Sequence, residues 1–344
     1  MGRAGQEALK KVAVIKGDGT GPELVDAAMS VMKATGARVE FIPCEAGSEW
    51  WETHKGPSFF PEETWKALEE SDTCLKGPTT TLPIAGTPRS VAVSIRQRFN
   101  LYANVRPVRT YRNQVGPLGA VDFVLVREAT EGLYIGIEHK LSEDVTIAIR
   151  LVTKDKSTRV SRFAFEEAKR RGWKKIVAIS KANILKVTDG LFLDSARNVA
   201  KSYPGIEMED LFIDNFAQQL VKNPQRFNQN VIVGTNLFMD ILSEEASGLI
   251  GSIGMVYSGN FGDRYAMFEP AHGSAPKYKG MNKVNPTATI LSAAWMFDYL
   301  GEKKASESIF DAVGKVIESR EAVTYDLGGT TGTKGMAEAV IRNL

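Results

Sequence analysis

Only two cysteines, Cys44 and Cys74, occur in 344 residues. That is too few for a disulfide-stapled secreted scaffold, and they lie at no metal-ligand spacing. The three histidines are likewise too scattered for a zinc site. No apolar run reaches the roughly 18 residues that a membrane-spanning helix needs, and the opening MGRAGQEALKK lacks the apolar core of a signal peptide. An excess of either charge is missing too. Forty-three Lys and Arg face 41 Asp and Glu, for a formal net charge of +2. This excludes a broad nucleic-acid-binding face while leaving room for a small basic pocket. Internal repeats and low-complexity segments are also absent. The expectation is a soluble, cytoplasmic protein that works on a small molecule, with no nucleic acid and no membrane as partner.

What is present is an almost unbroken alternation of strand-like and helix-like segments. KKVAVI, RVEFIPCEAG, TCLKG, VDFVLVRE, TIAIRLVTK, KKIVAIS and QNVIVG read as strands. PELVDAAMSVMKA, PEETWKALEESD, SVAVSIRQRFN, SRFAFEEAKRRG, MDILSEEASG and the long apolar NPTATILSAAWMFDYLG read as helices. Such alternation predicts α/β layers. The length suggests two domains. GPTTTLPIAGTP (77–88) reads as a loop of functional length.

The first glycine cluster, Gly17-Asp18-Gly19-Thr20-Gly21, follows a strand and opens a helix. A dinucleotide fingerprint requires G-x-G-x-x-G; here the third glycine comes one residue early. A tight strand-to-helix turn explains it without a ligand.

Charge converges elsewhere. Arg89, Arg96, Arg106 and Arg109 fall within 21 residues, and Arg127 ends the apolar strand VDFVLVRE. Guanidinium forks grip carboxylates bidentately. Arg89 and Arg96, seven apart, would share a helical face, and Ser90 adds a hydroxyl. Taken alone these are a solvated basic face; with Arg127 at a strand end they suggest a polyanionic small molecule. Asp240 and Glu244 stand at i and i+4 of one helix, and Asp214 ends LFID. Three hard oxygen ligands suit Mg²⁺ or Mn²⁺, although an i, i+4 acidic pair by itself is ordinary surface. Lys181 ends the strand before KANI, as a structural cation or a general base. Tyr134, in EGLYIG, reads equally as a half-buried aromatic. His272 sits among small residues in EPAHGSAPKY.

These pieces occur in an ordered series: GDGTGPE (17–23), LYANVRPVR (101–109), VREATEGLYIGIEH (126–139), KANILKVTDGLF (181–192), GNFGD (259–263) and EPAHGSAPKYKGMNKVNPTATILSAAWM (269–296). With them the chain resembles the β-decarboxylating dehydrogenases, the family of isocitrate, 3-isopropylmalate and homoisocitrate dehydrogenases. The resemblance implies a two-domain, non-Rossmann α/β fold of mixed sheets flanked by helices. Residues 1–101 plus 251–344 would form the larger, cofactor-side domain, and 102–250 a smaller one carrying the dimer-forming segment. It also implies a homodimer with shared active sites, Lys181 and Asp214 reaching the partner's site.

By the same resemblance Arg96, Arg106 and Arg127, with Ser90, bind the substrate. Tyr134 and Lys181 are catalytic. Asp214, Asp240 and Glu244 hold Mg²⁺ or Mn²⁺. His272, Gly273, Lys277, Tyr278, Val284, Asn285 and Tyr325 bind the cofactor. Lys277-Tyr278 matches the family's NADP-dependent isocitrate enzymes, whereas NAD-dependent relatives carry an acid at the first position. Gly329 stands where those NADP enzymes often place arginine, and Asn223 at another position often basic, with Lys222 adjacent. The activity implied is oxidative decarboxylation of isocitrate to 2-oxoglutarate with NADP. The alternatives are an NAD-dependent homoisocitrate or 3-isopropylmalate dehydrogenase, or a non-catalytic regulatory subunit. They rest on Ala92 in place of an asparagine, Met239 in place of a glycine, and Glu244 in place of an aspartate.

Overall fold

A computed structural model describes residues 9–84, 86–114 and 116–344. Most of the opening segment read above as no signal peptide (residues 1–8) therefore lies outside the described residues. The chain divides into two compact units, 1–91 with 265–344, and 92–264.

In chain order the first unit begins with β1 (Lys10–Ile15), α1 (Gly21–Ala34), β2 (Val39–Cys44), α2 (Ser48–His54), α3 (Glu62–Glu70) and β3 (Thr73–Lys76). Next come α4 (Val91–Arg98), β4 (Ala103–Arg109), β5 (Asp122–Glu128), the short strands β6 (Glu138–Lys140) and β7 (Thr146–Ala148), α5 (Lys154–Arg171), β8 (Lys175–Ser180), α6 (Thr188–Ala200), β9 (Glu207–Phe212), α7 (Ile213–Lys222), β10 (Asn230–Gly234), α8 (Asn236–Gly248) and β11 (Tyr257–Phe261). The first unit is completed by β12 (Ala266–Pro270), α9 (Thr287–Leu300), α10 (Lys303–Ser319) and α11 (Thr333–Arg342).

The first unit's strands run in the order β2-β1-β3-β12, all parallel. Its central helix is α9, buried from Thr287 to Phe297. A helix apolar all round can only be a core element, and α9 packs on β12, α1 and α10. The second unit's strands run β11-β4-β5-β10-β8-β9, antiparallel across the first two pairings and parallel across the rest. The apolar strands β5, β8 and β10 are buried along almost their whole length, as parallel strands covered on both faces must be. Helix α5 covers them, capped by Thr153, whose hydroxyl accepts from Lys156 N–H, and stopped at Gly172 with φ +71°.

The units divide at 91/92 and 264/265, where the sequence reading placed the divisions at 101/102 and 250/251. Nearly all of α4 belongs to the second unit because Arg96 is tied to Asn260 of β11, and β11 itself pairs with β4. The strand expected over TIAIRLVTK shrinks to Thr146–Ala148, paired only with Glu138–Lys140 and exposed throughout. Among the described residues no helix is long and apolar enough to cross a membrane.

Candidate active site

The second unit's parallel strands β5, β10, β8 and β9 end together, and the chemistry-bearing residues sit at or just beyond those ends: Arg127, Asn236, Lys181 and Asp214. The carboxyl edge of a parallel sheet is where open α/β folds place ligands. The antiparallel strands supply the rest through register. Asn260 of β11 pairs with Asn104 of β4, and Asn104 with Arg127 of β5. Paired residues face the same side of a sheet, and Arg106, two residues from Asn104, shares that side.

The result is a continuous polar ribbon. Arg96 donates through Nε to Asn260 Oδ1 at 2.8 Å, and Asn104 Nδ2 donates to the same oxygen at 2.9 Å. Arg106 Nε donates to Asn104 Oδ1 at 3.0 Å. Arg106 then reaches Ser243 Oγ at 2.6 Å, Glu244 at 3.0 Å and Asp240 at 3.3 Å. Arg127 donates to Asn236 Oδ1 from both Nε and Nη2, at 2.9 and 2.7 Å, and pairs with Asp240. Arg96, Arg106 and Arg127 are all at least nine-tenths buried.

Tyr134 is presented by a one-turn 3₁₀ helix bracketed by Gly132 and Gly136, at φ +81° and +69°. Its hydroxyl donates to Asp240, and its ring lies 4.8 Å from the Arg127 guanidinium carbon. Burial and the hydrogen bond to Asp240 hold the Tyr134 phenol above its ordinary value. Burial pushes the Asp240 carboxyl up, but Arg127, Arg106 and the Tyr134 hydroxyl outweigh it and hold it below the usual range. Arg127 is lowered to about 10, first by burial and then by Arg96 and Arg106, with Asp240 offsetting part. Like charges crowd one another here.

Asp240 and Glu244 share one face of α8, as their spacing predicts, and both reach the one Arg106 guanidinium. Glutamate at 244 is therefore long enough to reach the same guanidinium as Asp240, on its other terminal nitrogen. Two convergent carboxylates are the hard-oxygen donors a divalent cation takes. Asp214 is not with them: it lies in the first turn of α7 and accepts from Lys181 Nζ at 2.7 Å, a bond that lowers its carboxyl. No group of three metal-ligating side chains forms among the described residues of one chain.

Two of the arginines read from the sequence lie outside the ribbon. Arg89 is exposed and precedes α4, so it shares no helical face with Arg96, and Arg109 is exposed at the end of β4. Ser90 is half-buried just ahead of α4. His139 is exposed on the β6–β7 hairpin. Asn104, Asn236 and Asn260 were missed. No spacing signals them, because only strand register and the start of α8 bring them to the arginines.

In the first unit the cofactor candidates gather on the segment after β12 and around Tyr325. Gly19 approaches Ser274 so closely that a Cβ there would collide with its carbonyl, and Thr20 donates to that carbonyl from N at 2.9 Å and from Oγ1 at 3.0 Å. Asp18 accepts from Ser48, Glu49 and Thr80 backbone N–H groups. The early glycine turn therefore builds the walls. His272 Nδ1 contacts Gly273 O at 3.0 Å, while its buried Nε2 has no partner, and burial lowers its pKa. A Cβ at Gly273 would meet open space. Thr333 bonds Val284 O, and Asn285 bonds Asp326 at 2.9 Å, fixing the strand of chain ahead of α9.

Tyr278 and Tyr325 lie 6.1 Å apart between ring centroids. Lys277 Nζ stands 4.9 Å from the Tyr278 ring, and Lys283, which the sequence reading passed over, stands 5.4 Å from Tyr278 and 4.5 Å from Tyr325. The Tyr325 hydrogen bond and the Lys277 ammonium lower the Tyr278 phenol. At Gly329 a Cβ would run into the Val323 carbonyl, so the backbone here rejects an arginine. A separate cavity of about 1060 Å³, lined among others by Lys16, Phe41, Cys44, Trp50 and His54, contains none of the predicted site residues.

An α/β sheet edge carrying three buried guanidiniums, two convergent carboxylates and a protonated phenol makes a receptor for a small polycarboxylate with room for acid–base work. Comparison with known proteins gives that class a family. The family described as isocitrate/isopropylmalate dehydrogenase matches residues 11–340. The isocitrate/homoisocitrate dehydrogenase of Thermus thermophilus is 45% identical over 336 residues, covering 97% of this chain and 98% of that one. The 3-isopropylmalate dehydrogenase of Methanothermobacter thermautotrophicus is 42% identical over 335 residues, with 97% and 98% covered. A crystal structure of isocitrate dehydrogenase from Methylococcus capsulatus superposes with a TM-score of 0.93 at 43% identity, covering 97% of this chain and 99% of that one. The chain belongs to the isocitrate/isopropylmalate dehydrogenase family, and its fold is theirs.

Proposed function

We propose that the protein oxidatively decarboxylates isocitrate to 2-oxoglutarate with reduction of NADP. The observation that carries this reading is the burial of Arg96, Arg106 and Arg127 on one ribbon. Three guanidiniums suit a tricarboxylate better than a dicarboxylate bearing an isopropyl group. Ser90 adds a hydroxyl to the same task.

NADP fits the first unit through two ammonium groups and two phenols at Lys277, Lys283, Tyr278 and Tyr325, which suit a 2′-phosphate. His272, with its unpartnered Nε2, Gly273, Val284 and Asn285 line the adenosine side. Asp240 and Glu244, with Asp214 from a second copy, would hold Mg²⁺ or Mn²⁺. A cofactor held there would supply hydride-accepting chemistry, and a cation held by these carboxylates would supply Lewis-acid polarisation of a substrate oxygen. Lys181 receives the hydroxyl proton on its side of the substrate, with Asp214 holding its ammonium. Tyr134, kept protonated, returns a proton to the enol carbon after CO₂ departs.

This reading needs a homodimer, because one chain holds Lys181 with Asp214 and apart from any three-ligand set. The segment that follows Tyr134 exposes a run of aliphatics (Ile137, Leu141, Val145, Ile147, Ile149 and Leu151), a surface suited to a second copy. A second reading, homoisocitrate as substrate, draws on Ala92, whose short side chain leaves room for a longer acid, and on the name of the Thermus relative.

The test is a steady-state panel of isocitrate, homoisocitrate and 3-isopropylmalate with NADP and NAD, each with Mg²⁺ and with EDTA. The highest kcat/KM is expected for isocitrate with NADP and Mg²⁺. A higher value for either other acid, or for NAD, overturns the corresponding part of the proposal.

A further inference from the structure

Lys181 opens a turn that has almost nothing apolar to hold it. Between β8 and α6, Ile184 and Val187 are 69% and 83% exposed, and Leu185 is also exposed. The turn closes on itself through Ile184 and Leu185 N–H groups donating to Lys181 O at 2.9 and 2.8 Å. Its outside anchor is a carboxylate. Asp189, fully buried in the first turn of α6, accepts the Lys181 backbone N–H on Oδ2 at 2.6 Å and Arg150 Nη1 on Oδ1 at 2.5 Å. Arg150 also donates to Thr188 Oγ1 at 3.2 Å and to Thr235 Oγ1 at 2.8 Å. Its guanidinium lies 4.9 Å from the Phe238 ring. Thr235 is the N-terminal flanking residue of α8, the helix that carries Asp240 and Glu244.

We propose that Arg150 is a positioning residue for Lys181, acting through the buried carboxylate of Asp189 and bracing the Lys181 turn against the start of α8. An isolated buried carboxylate is expensive, whereas one paired with a guanidinium and hydrogen-bonded on both oxygens is rigid. Within its own chain the turn is held by backbone bonds into α6, Asp189 N–H to Leu185 O and Leu191 N–H to Val187 O, both at 3.0 Å, and by that polar anchor. The same guanidinium fixes the start of α8, so the Lys181–Asp214 pair and the Asp240–Glu244 pair share one brace. Their geometry is then set by a residue outside both. The proposal rests on the reading of Lys181 as a catalytic group.

The experiment compares wild type, Arg150→Met and Arg150→Lys by hydrogen exchange of the peptide spanning 181–187 and by steady-state kinetics. Arg150→Gln replaces Arg150→Met should the latter not fold. In the Met variant the turn's amides are expected to exchange at least about tenfold faster, since the Asp189 anchor loses its partner. kcat for isocitrate is expected to fall by about 10- to 100-fold with KM for NADP unchanged within about twofold, because a misplaced group costs rate more than cofactor affinity. The deuterium isotope effect with isocitrate labelled at the carbinol carbon should rise. Arg150→Lys, which keeps one charged donor for Asp189, should recover most of both losses. A merely destabilised protein loses active fraction without raising the isotope effect. Unchanged exchange in the Met variant overturns the proposal, as does faster exchange with kcat and isotope effect unmoved. A wild type inactive on all three acids overturns the functional reading alone, and the exchange data still decide whether Arg150 holds the turn.

Discussion

Replacing Lys283 with alanine isolates a cation that neither spacing nor the family pattern singled out. Its ammonium lies 4.5 Å from the Tyr325 ring and 5.4 Å from the Tyr278 ring, while that of Lys277 stands 4.9 Å from Tyr278. A phosphate seated between the two phenols would lie about 5 Å from each ammonium. Both lysines are exposed, so the effective dielectric is nearer that of water than of a protein interior. Coulomb's law then gives about 1–2 kcal/mol for unit charges at that distance, reduced to about 1 by physiological salt. A difference of about 1–1.4 kcal/mol is a five- to tenfold change in affinity. K283A should therefore raise KM for NADP by about five- to tenfold and leave KM for NAD within about twofold. K277D, which also adds repulsion, should cost about tenfold or more, since like-charge juxtaposition is worth more than a lost attraction. The assay is kcat/KM for both cofactors at fixed isocitrate and Mg²⁺, repeated at higher salt, where the K283A deficit should shrink. An NADP/NAD ratio unchanged in K283A would refute the placement of the 2′-phosphate between the two tyrosines.

Four further outcomes are expected. Asn260→Leu leaves Arg96 Nε and Asn104 Nδ2 without their shared acceptor. It should cost about 2–4 kcal/mol in denaturant unfolding and raise KM for isocitrate; Asn260→Asp should regain the stability but keep the high KM, because it neutralises the pocket. Gly329→Arg drives a Cβ into the Val323 carbonyl, so it should lower the melting temperature, at a cost of about 2 kcal/mol or more, without improving NADP preference. Burial pushes the Glu167 carboxyl up, but the hydrogen bond from Arg170 and the Arg171 guanidinium bring it below the usual range. Its stabilisation is therefore complete above the ordinary glutamate value of about 4.3 and fades as pH falls through the lower folded value, so Glu167→Gln should lose about 1–3 kcal/mol at neutral pH and converge with wild type only once pH has fallen below that folded value. Co-refolding inactive Tyr134→Phe with inactive Lys181→Met should restore about a quarter of wild-type activity, since half of the random dimers carry one intact site; no recovery would exclude shared sites.

The alternation of strands and helices was legible in the sequence because apolar strands and amphipathic helices carry different periods, as β8 and α5 illustrate, whereas β4, β11 and β12 were not read as strands. Arg127 stood out by its place at a strand end, Asp240 and Glu244 by their i, i+4 spacing and Arg96 and Arg106 by the local density of arginine, but only the resemblance joined them into one site. What was illegible depends on register. Nothing local distinguishes Asn104 or Asn260 from any strand asparagine until β11 is laid on β4 and β4 on β5. Arg89 misled for a related reason. Its heptad spacing from Arg96 holds only if the helix extends that far, and α4 begins at Val91, after Pro88 and Ser90. TIAIRLVTK misled because an alternating pattern shows two faces without showing what covers them; here the apolar face of β7 is exposed. Lys283 carries no signal of its own in KYKGMNKVN, where it is one lysine of three until the fold brings it to Tyr278 and Tyr325.

The choice of asparagine along the ribbon is itself informative about what must bind. The lowering of Arg127 to about 10, by burial first and then by Arg96 and Arg106, corresponds to roughly 3 kcal/mol against its charged form. Two carboxylates, Asp240 and Glu244, lie beside Arg106, and Asp240 also pairs with Arg127. Other N–H partners of the three arginines include the neutral amide oxygens of Asn104, Asn236 and Asn260. An amide orients a guanidinium and satisfies a donor but cancels none of its charge. Two carboxylates against three guanidiniums leave the ribbon with an excess of one positive charge. Under the proposed function, the folding energy withheld from Arg127 would be recovered when an anionic substrate arrives. The three amides and the three arginines are accordingly one device: each amide matters because it is not an acid.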